Sequence, residues 1–123
     1  MKLHADQNPS LNTITAYGDG YVEINGQRHT GPLVIRPEGD ILVWDVETFD
    51  ALAAAHFEAL LAHAPEVVIL GTGPRQRFPH PRLTMALAQA RIGVEVMATG
   101  PACRTYNILM SEDRKVLAAL LPP

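Results

Sequence analysis

An unbroken aliphatic run from Val67 to Leu70 is the feature that most restricts how this chain can fold. Because neither face of the strand that it predicts is polar, both faces must be covered by protein, as is usual in parallel sheets. On either side, apolar residues recur at helical spacing between Phe49 and Ala64 and between Leu83 and Ala90. Strands that alternate with helices predict an α/β fold built from crossover connections.

The rest of this half of the chain continues the same alternation. Pro65 and Gly93 end the first two helices, and a third helix is expected from Pro101 to about Met110. The remaining strands are expected at 41–44, which should be short and buried, at 94–97, and at 116–121, which is apolar. The central sheet should therefore be mainly parallel.

Two glycine-containing loops should leave the same edge of this sheet. Right-handed crossovers bring the carboxyl ends of the strands at 41–44, 67–70 and 94–97 together. The loops that follow are GTGPRQRFPH at 71–80 and ATGPACR at 98–104. Ligands of open α/β sheets bind in the crevice at that edge.

The first part of the chain has the two-residue alternation of antiparallel strands. Apolar residues alternate with polar ones at 14–16 and 22–24, and Asn25-Gly26 then gives a strong hairpin signal. PLVIR at 32–36 is expected to complete a three-stranded antiparallel unit, and residues 1–10 are expected to form a loose end.

The loop after the apolar run does not match the established nucleotide-binding motifs. A Walker phosphate loop needs a second glycine followed by Lys and Ser or Thr, but Gln76 stands five positions after Gly71. Gly71 and Gly73 begin the dinucleotide pattern GxGxxG, but Gln76 again replaces its last glycine. No cofactor is therefore predicted.

A less specific site for a small anion is compatible with the two loops. Glycines allow close approach of a ligand, arginines carry planar donors for carboxylate or phosphate, and a helix start offers free N–H groups. In the alternative interpretation, the glycines only make a turn and the arginines are solvated or cap carbonyls. The candidate ligand-binding residues are Gly71, Thr72, Gly73, Arg75, Arg77, Thr99 and Gly100.

The third helix carries the residues that could be reactive. Cys103 lies in its first turn beside Arg104, where a helix start and a cation favour thiolate, and Tyr106 could supply a hydroxyl. Cys103 also falls at helical spacing with Tyr106 and Met110, which suits a small core residue. Asn107 is expected to bond a neighbouring loop rather than a ligand, because buried amides find partners.

Composition excludes several classes of function. A chain of 123 residues is expected to form a single domain, 1–123, and its net charge of −3 does not favour nucleic acid as a partner. One cysteine excludes an internal disulfide, and no sequence pattern indicates a metal site. We find no signal peptide and no apolar run of membrane-spanning length, so we expect no membrane insertion and a cytoplasmic location.

Several short motifs of the second half occur together in one order, and this set resembles a known family. It is a small α/β family of unknown biochemical function, domain of unknown function 498, which includes the mitochondrial respiratory complex I assembly factor 3. The motifs, within about residues 40–121, are Gly71-Thr72-Gly73, Ile92-Gly93, Val94-Glu95-Val96-Met97, Thr99-Gly100-Pro101-Ala102, Tyr106-Asn107, Arg114 and Ala118-Ala119-Leu120.

The resemblance implies a three-layer arrangement around a mixed central sheet. Helices would cover one side and the remaining β and α pieces the other, and the last strand would run antiparallel to its neighbours. No catalytic residue is established for the family, so the resemblance assigns none here.

Two functional hypotheses follow. The first is a non-catalytic accessory or assembly protein that binds a protein partner, with a surface that includes the arginines of 71–80. The second is a small-molecule anion-binding protein, or an enzyme with an anionic substrate, that uses the crevice between the loops at 71–80 and 98–104.

Overall fold

The computed structural model describes residues 10–123, so residues 1–9 of the expected loose end lie outside the described residues. Within these described residues, eight strands and three α-helices follow one another. The strands are β1 (Ile14–Gly18), β2 (Tyr21–Ile24), β3 (Gln27–His29), β4 (Leu33–Ile35), β5 (Leu42–Val43), β6 (Val67–Gly71), β7 (Gly93–Met97) and β8 (Val116–Leu120). The helices are α1 (Ala54–Glu58), α2 (Met85–Gln89) and α3 (Thr99–Ser111), and short 3₁₀ turns occupy Phe49–Ala51, Ala59–His63 and Pro81–Leu83.

A five-stranded mixed sheet in the order β5-β4-β8-β6-β7 forms the centre of the molecule. β6 pairs in parallel with both β7 and β8, while β4 is antiparallel to its neighbours β8 and β5. Because β5 is antiparallel to β4, and β4 is antiparallel to β8, β5 runs in the same direction as β8 and β6. The carboxyl ends of β5, β6 and β7 therefore share one edge of the sheet, as the sequence predicts. β5 is shorter than expected, and its Val43 is 85% exposed because it lies at the edge of the sheet.

The direction of the last strand differs in part from the direction that the family resemblance implies. β8 is antiparallel to β4 but parallel to β6, so the expected orientation holds for only one of its two neighbours. The reason is the crossover before it: α3 carries the chain from the end of β7 back to the edge where β6 begins. β8 then starts beside β6 and runs with it.

The antiparallel unit at the start of the chain also differs from the prediction. Its third strand is β3, not the segment 32–36, because Asn25 and Gly26 adopt φ values of 49° and 84° and reverse the chain within two residues. β4, within 32–36, belongs to the central sheet, where all three of its residues are buried. A strand without a polar face needs cover on both sides, which the central sheet provides and a small surface sheet does not.

The expected first helix, 49–64, is broken into a 3₁₀ turn, the five-residue α1 and a second 3₁₀ turn. Leu52 takes an extended conformation and separates the first turn from α1. Phe57 and Leu60 are nevertheless buried, as the periodicity predicts. The segment ends at Ala64, which adopts a left-handed conformation before Pro65.

Alternate residues of β6 point into two separate cores. Val67 and Ile69 pack with α3 and the three-stranded sheet, while Val68 and Leu70 pack with Phe57 of α1 and the residues of α2. Since strand side chains alternate between the two faces of the sheet, β6 contributes residues to both cores. The three layers implied by the family resemblance are confirmed.

Asn107 of α3 joins the small sheet to the rest of the molecule. Its Nδ2 donates to the carbonyl of Ile14 at 2.7 Å, and its Oδ1 accepts from the amide of Ile14 at 3.0 Å. The buried side chain thus pairs with the edge of β1 as another strand would. The predicted hydrogen-bonding role is confirmed, although the partner is a strand and not a loop.

Replacing Asn107 tests this connection. We expect Asn107→Leu to lower the free energy of unfolding by about 2–4 kcal/mol, because it leaves a buried amide and a buried carbonyl without partners. Urea denaturation measures the effect. Ile108→Ala, at an exposed position of the same helix, is the control and should change little; an equal loss in both variants would contradict this role.

Candidate functional site

The two glycine-containing segments meet at the shared edge of the sheet. The amide of Thr72 donates to the carbonyl of Met97 at 2.9 Å, and the amide of Thr99 donates to the carbonyl of Gly73 at 2.9 Å. The predicted juxtaposition of 71–80 and 98–104 is therefore present. In the second segment, however, residues 99–104 already form the first turns of α3.

The hydroxyl of Thr99 links three chain segments below the surface. The side chain is fully buried, accepts from the amide of Gly73 at 2.8 Å and donates to the carbonyl of Leu121 at 2.7 Å. This close approach requires glycine at position 71, because a Cβ there would lie 2.9 Å from Thr99 Oγ1. Gly71 and Thr99 thus fix where the first loop begins.

Thr72 holds the next part of the loop in the same way. Its buried hydroxyl donates to the carbonyl of Arg75 at 2.7 Å and accepts from the amide of Arg77 at 3.2 Å. Gly73 between them has a φ of 103°, which a residue with a side chain rarely adopts. The loop is therefore shaped by its own hydrogen bonds.

The two arginines of the loop have different surroundings. Arg77 donates to Asp50 Oδ1 at 2.7 Å, and its guanidinium lies 4.2 Å from the centre of the Phe49 ring. Arg75 is exposed and, within residues 10–123, forms no ion pair. Arg77 therefore already has a counter-charge, whereas the guanidinium of Arg75 is available to a partner or ligand.

A cleft of about 390 Å³ lies between the loop and the segment after β5. Thr99 and Gly100 do not line it: Thr99 lies beneath the surface, and Gly100 sits against the ring of Tyr17. Glu47 brings a negative charge to the opposite wall. The residues predicted from sequence that line the cleft are Thr72, Gly73, Arg75 and Arg77.

The opposite wall of this cleft is formed by residues that were not predicted from the sequence. Glu47, Thr48 and Phe49 contribute to it, and Asp50 pairs with Arg77. The signal was present, because these residues follow β5, whose carboxyl end was expected at the same edge. The paired residues Asp50 and Arg77 are 27 positions apart in sequence, and no local pattern predicts such a contact.

The candidate reactive residues lie in the core of the protein. Cys103 and Tyr106 are fully buried. Burial raises the pKa of the Cys103 thiol to about 12 and outweighs the opposing charge of Arg104. Burial also raises the pKa of Tyr106, whose hydroxyl donates to the carbonyl of Asn12 at 2.7 Å. Both side chains are therefore neutral near pH 7.

Two structural features are absent from the part of the chain that the structure describes. Among residues 10–123, no three His, Cys, Asp or Glu side chains are grouped so that they could hold a metal ion. The helices in the same range are too short or too polar to cross a bilayer.

The architecture and this edge define a small three-layer α/β protein with a loop-bounded cleft at the carboxyl ends of its parallel strands. A family model described as "Protein of unknown function (DUF498/DUF598)" matches residues 14–121. The chain belongs to this family, which confirms the resemblance inferred from the sequence motifs.

Individual relatives agree with this assignment. The chain is 33% identical over 125 residues to the Bos taurus protein "NADH dehydrogenase (ubiquinone) 1 alpha subcomplex assembly factor 3", covering 100% of this chain and 67% of that protein. A crystal structure from Bordetella parapertussis is similar with a TM-score of 0.87 and 42% identity, covering 95% of this chain and 100% of that one. A solution structure of a Mth938-like domain from Bordetella pertussis has a TM-score of 0.82 and 38% identity, covering 99% and 92%.

The burial of Cys103 predicts how it reacts with thiol reagents. We expect a water-soluble aromatic disulfide to modify it only as fast as the protein opens, because the thiol is covered and protonated. Labelling followed by absorbance measures this rate. Ser111→Cys in a Cys103→Ala background places an exposed thiol on the same helix as the control; native labelling of Cys103 at the control's rate would contradict the prediction.

Proposed function

We propose that this protein is a non-catalytic accessory protein that binds a protein partner through the arginine loop, residues 71–80, during assembly of a larger complex. The observation that carries the proposal is the contrast between the two sides of the loop. Internal hydrogen bonds of Thr72 and Thr99 hold its inner side, while Arg75 and Phe78 project outwards.

The exposed residues have the chemistry of a protein-binding surface. Phe78 is 72% exposed, so the loop presents a large aromatic surface that a partner could bury. Arginine and aromatic residues are enriched among those that contribute most to protein binding. A loop shaped by its own hydrogen bonds loses little conformational entropy on binding.

The relatives favour a role in assembly. The bovine relative is named as an assembly factor of NADH dehydrogenase, so subunits of that enzyme are the first partners to test. We place the function in the cytoplasm, as expected from the sequence. The burial of Cys103 and Tyr106 supports a binding role without catalysis, because neither group is positioned to reach a substrate.

One observation favours a second candidate, a small-molecule anion-binding protein or an enzyme with an anionic substrate. Arg75 lines the cleft together with Thr72 and Gly73 and has no ion-pair partner among residues 10–123. A carboxylate or phosphate in the cleft would supply one. The two candidates share Arg75 but differ in their dependence on Phe78, which does not line the cleft.

Capture of partners by the tagged protein tests the proposal. We expect Phe78→Ala and Arg75→Ala each to reduce recovery of the partner from native extract about tenfold or more, since truncating a central interface residue commonly costs about 2 kcal/mol or more. Quantitative mass spectrometry measures recovery and identifies the partner. Arg28→Ala, in β3 of the other sheet, is the matched control.

Equal recovery by the parent protein and both loop variants would overturn the partner-binding proposal. Thermal unfolding of each variant verifies that it is folded. The anion alternative predicts that a carboxylate or phosphate metabolite raises the Tm of the parent and of Phe78→Ala but not of Arg75→Ala. That result, with no partner captured, would favour the second candidate.

A further inference from the structure

A second cleft, of about 440 Å³, opens at the opposite edge of the central sheet. β6 and β8 begin at this edge and β4 ends there, so the cleft is separated from the arginine loop by the length of the sheet. Its size is within the range of small-molecule sites. The titratable side chains that line it are Arg36, Glu38, His63, Asp113, Arg114 and Lys115.

Arg36, which directly follows β4, is the unusual residue of this cleft. Its Nε is buried and has no hydrogen-bond partner among residues 10–123, and its guanidinium forms no ion pair with them. A partly buried cation without a counter-charge is unfavourable, because it loses water without gaining an anion. The ion pair that Arg36 lacks is therefore what a bound anion would supply.

The turn after Arg36 encloses its guanidinium. A Cβ at Gly39 would lie 2.8 Å from Arg36 Nη2, so the turn approaches the guanidinium as closely as it does only because glycine is there. Asn12 closes the turn by donating from Nδ2 to the carbonyls of Arg36 at 2.9 Å and Gly39 at 2.7 Å. The backbone of the turn is therefore fixed by Asn12 and lies directly against the guanidinium.

Among residues 10–123, no carboxylate lies within ion-pair distance of Arg36, although Glu38 and Asp113 also line the cleft. The pKa of His63 is lowered by burial and then by the charge of Arg36, so His63 is neutral near pH 7. Arg114 lies 3.6 Å from a carboxylate oxygen of Glu66, which offsets its charge. Lys115 is exposed at the rim and adds a second cation.

We propose that this cleft binds a small oxyanion, a phosphate or carboxylate group, through Arg36, with Lys115 contributing at the rim. The guanidinium of Arg36 lines the cleft, and its planar donors match the geometry of an oxyanion. The ligand would supply the ion pair that Arg36 does not form within residues 10–123. The site is additional to the arginine loop and does not depend on the function proposed for it.

An NMR titration of the isotope-labelled protein tests the site. Inorganic phosphate and succinate are the two probes, with sodium chloride at matched ionic strength as the reference. We expect saturable amide shifts at Arg36, Glu38, His63, Ala64 and 113–117, and a rise in the pKa of His63, because a bound anion opposes the effect of Arg36 on its imidazole. The probe that saturates identifies phosphate or carboxylate as the preferred group.

Variants assign the binding to Arg36. We expect Arg36→Gln to weaken binding about tenfold or more, Arg36→Lys to weaken it less, and Arg28→Gln, an exposed arginine of the other sheet, to leave it unchanged. If Arg36→Gln does not fold, Lys115→Gln must still weaken binding measurably. The proposal is overturned by the absence of saturable shifts with both probes, by equal binding to Arg36→Gln, or by shifts confined to the arginine loop.

Discussion

Beneath the arginine loop, the buried hydroxyl of Thr99 accepts a hydrogen bond from Gly73 and donates one to Leu121. A hydroxyl can do both at once, so one atom joins the end of β6, the start of α3 and the chain that leaves β8. The absence of a side chain at Gly71 lets α3 approach closely enough for these bonds. The shape of this edge of the sheet depends on them.

Because this network holds the loop from the inside, its outward residues can be specialised for binding. Arg77 is neutralised by Asp50 and covers Phe49, whereas Arg75 and Phe78 remain exposed. At the opposite edge of the sheet, by contrast, the arginine without an ion pair among residues 10–123 is Arg36, which is partly buried in a cleft. The same sheet thus separates a proposed protein-binding surface from a proposed small-ligand site.

The principal features of the fold could be predicted because they depend on local patterns. The aliphatic run 67–70 between two helical segments indicated parallel strands, and right-handed crossovers then brought the two glycine segments together. The assignment of β4 to the small sheet was wrong, because a short apolar run does not specify which sheet covers it. The direction of β8 beside β6 depended on the path of α3, which the family resemblance alone did not give.

The candidate site was predictable in position but less so in detail. The sequence placed Thr72, Gly73, Arg75 and Arg77 around one crevice, and the structure shows them there. It gave no sign that the hydroxyl of Thr99 is used within the protein. Contacts between distant segments, such as Arg77 with Asp50, arise only when the whole sheet is assembled, and the absence of an ion pair at Arg36 among residues 10–123 is likewise visible only in three dimensions.

Thr99→Val keeps the shape of the side chain and removes its two hydrogen bonds. This variant tests most directly whether the Thr99 hydroxyl holds the edge of the sheet together. Thr48→Val, at an exposed position near the same cleft, is the matched control. We expect Thr99→Val to lower the free energy of unfolding by about 2–4 kcal/mol and to speed hydrogen exchange at the amide of Gly73, whereas Thr48→Val should do neither. Unchanged stability together with unchanged exchange at Gly73 in Thr99→Val would contradict the account.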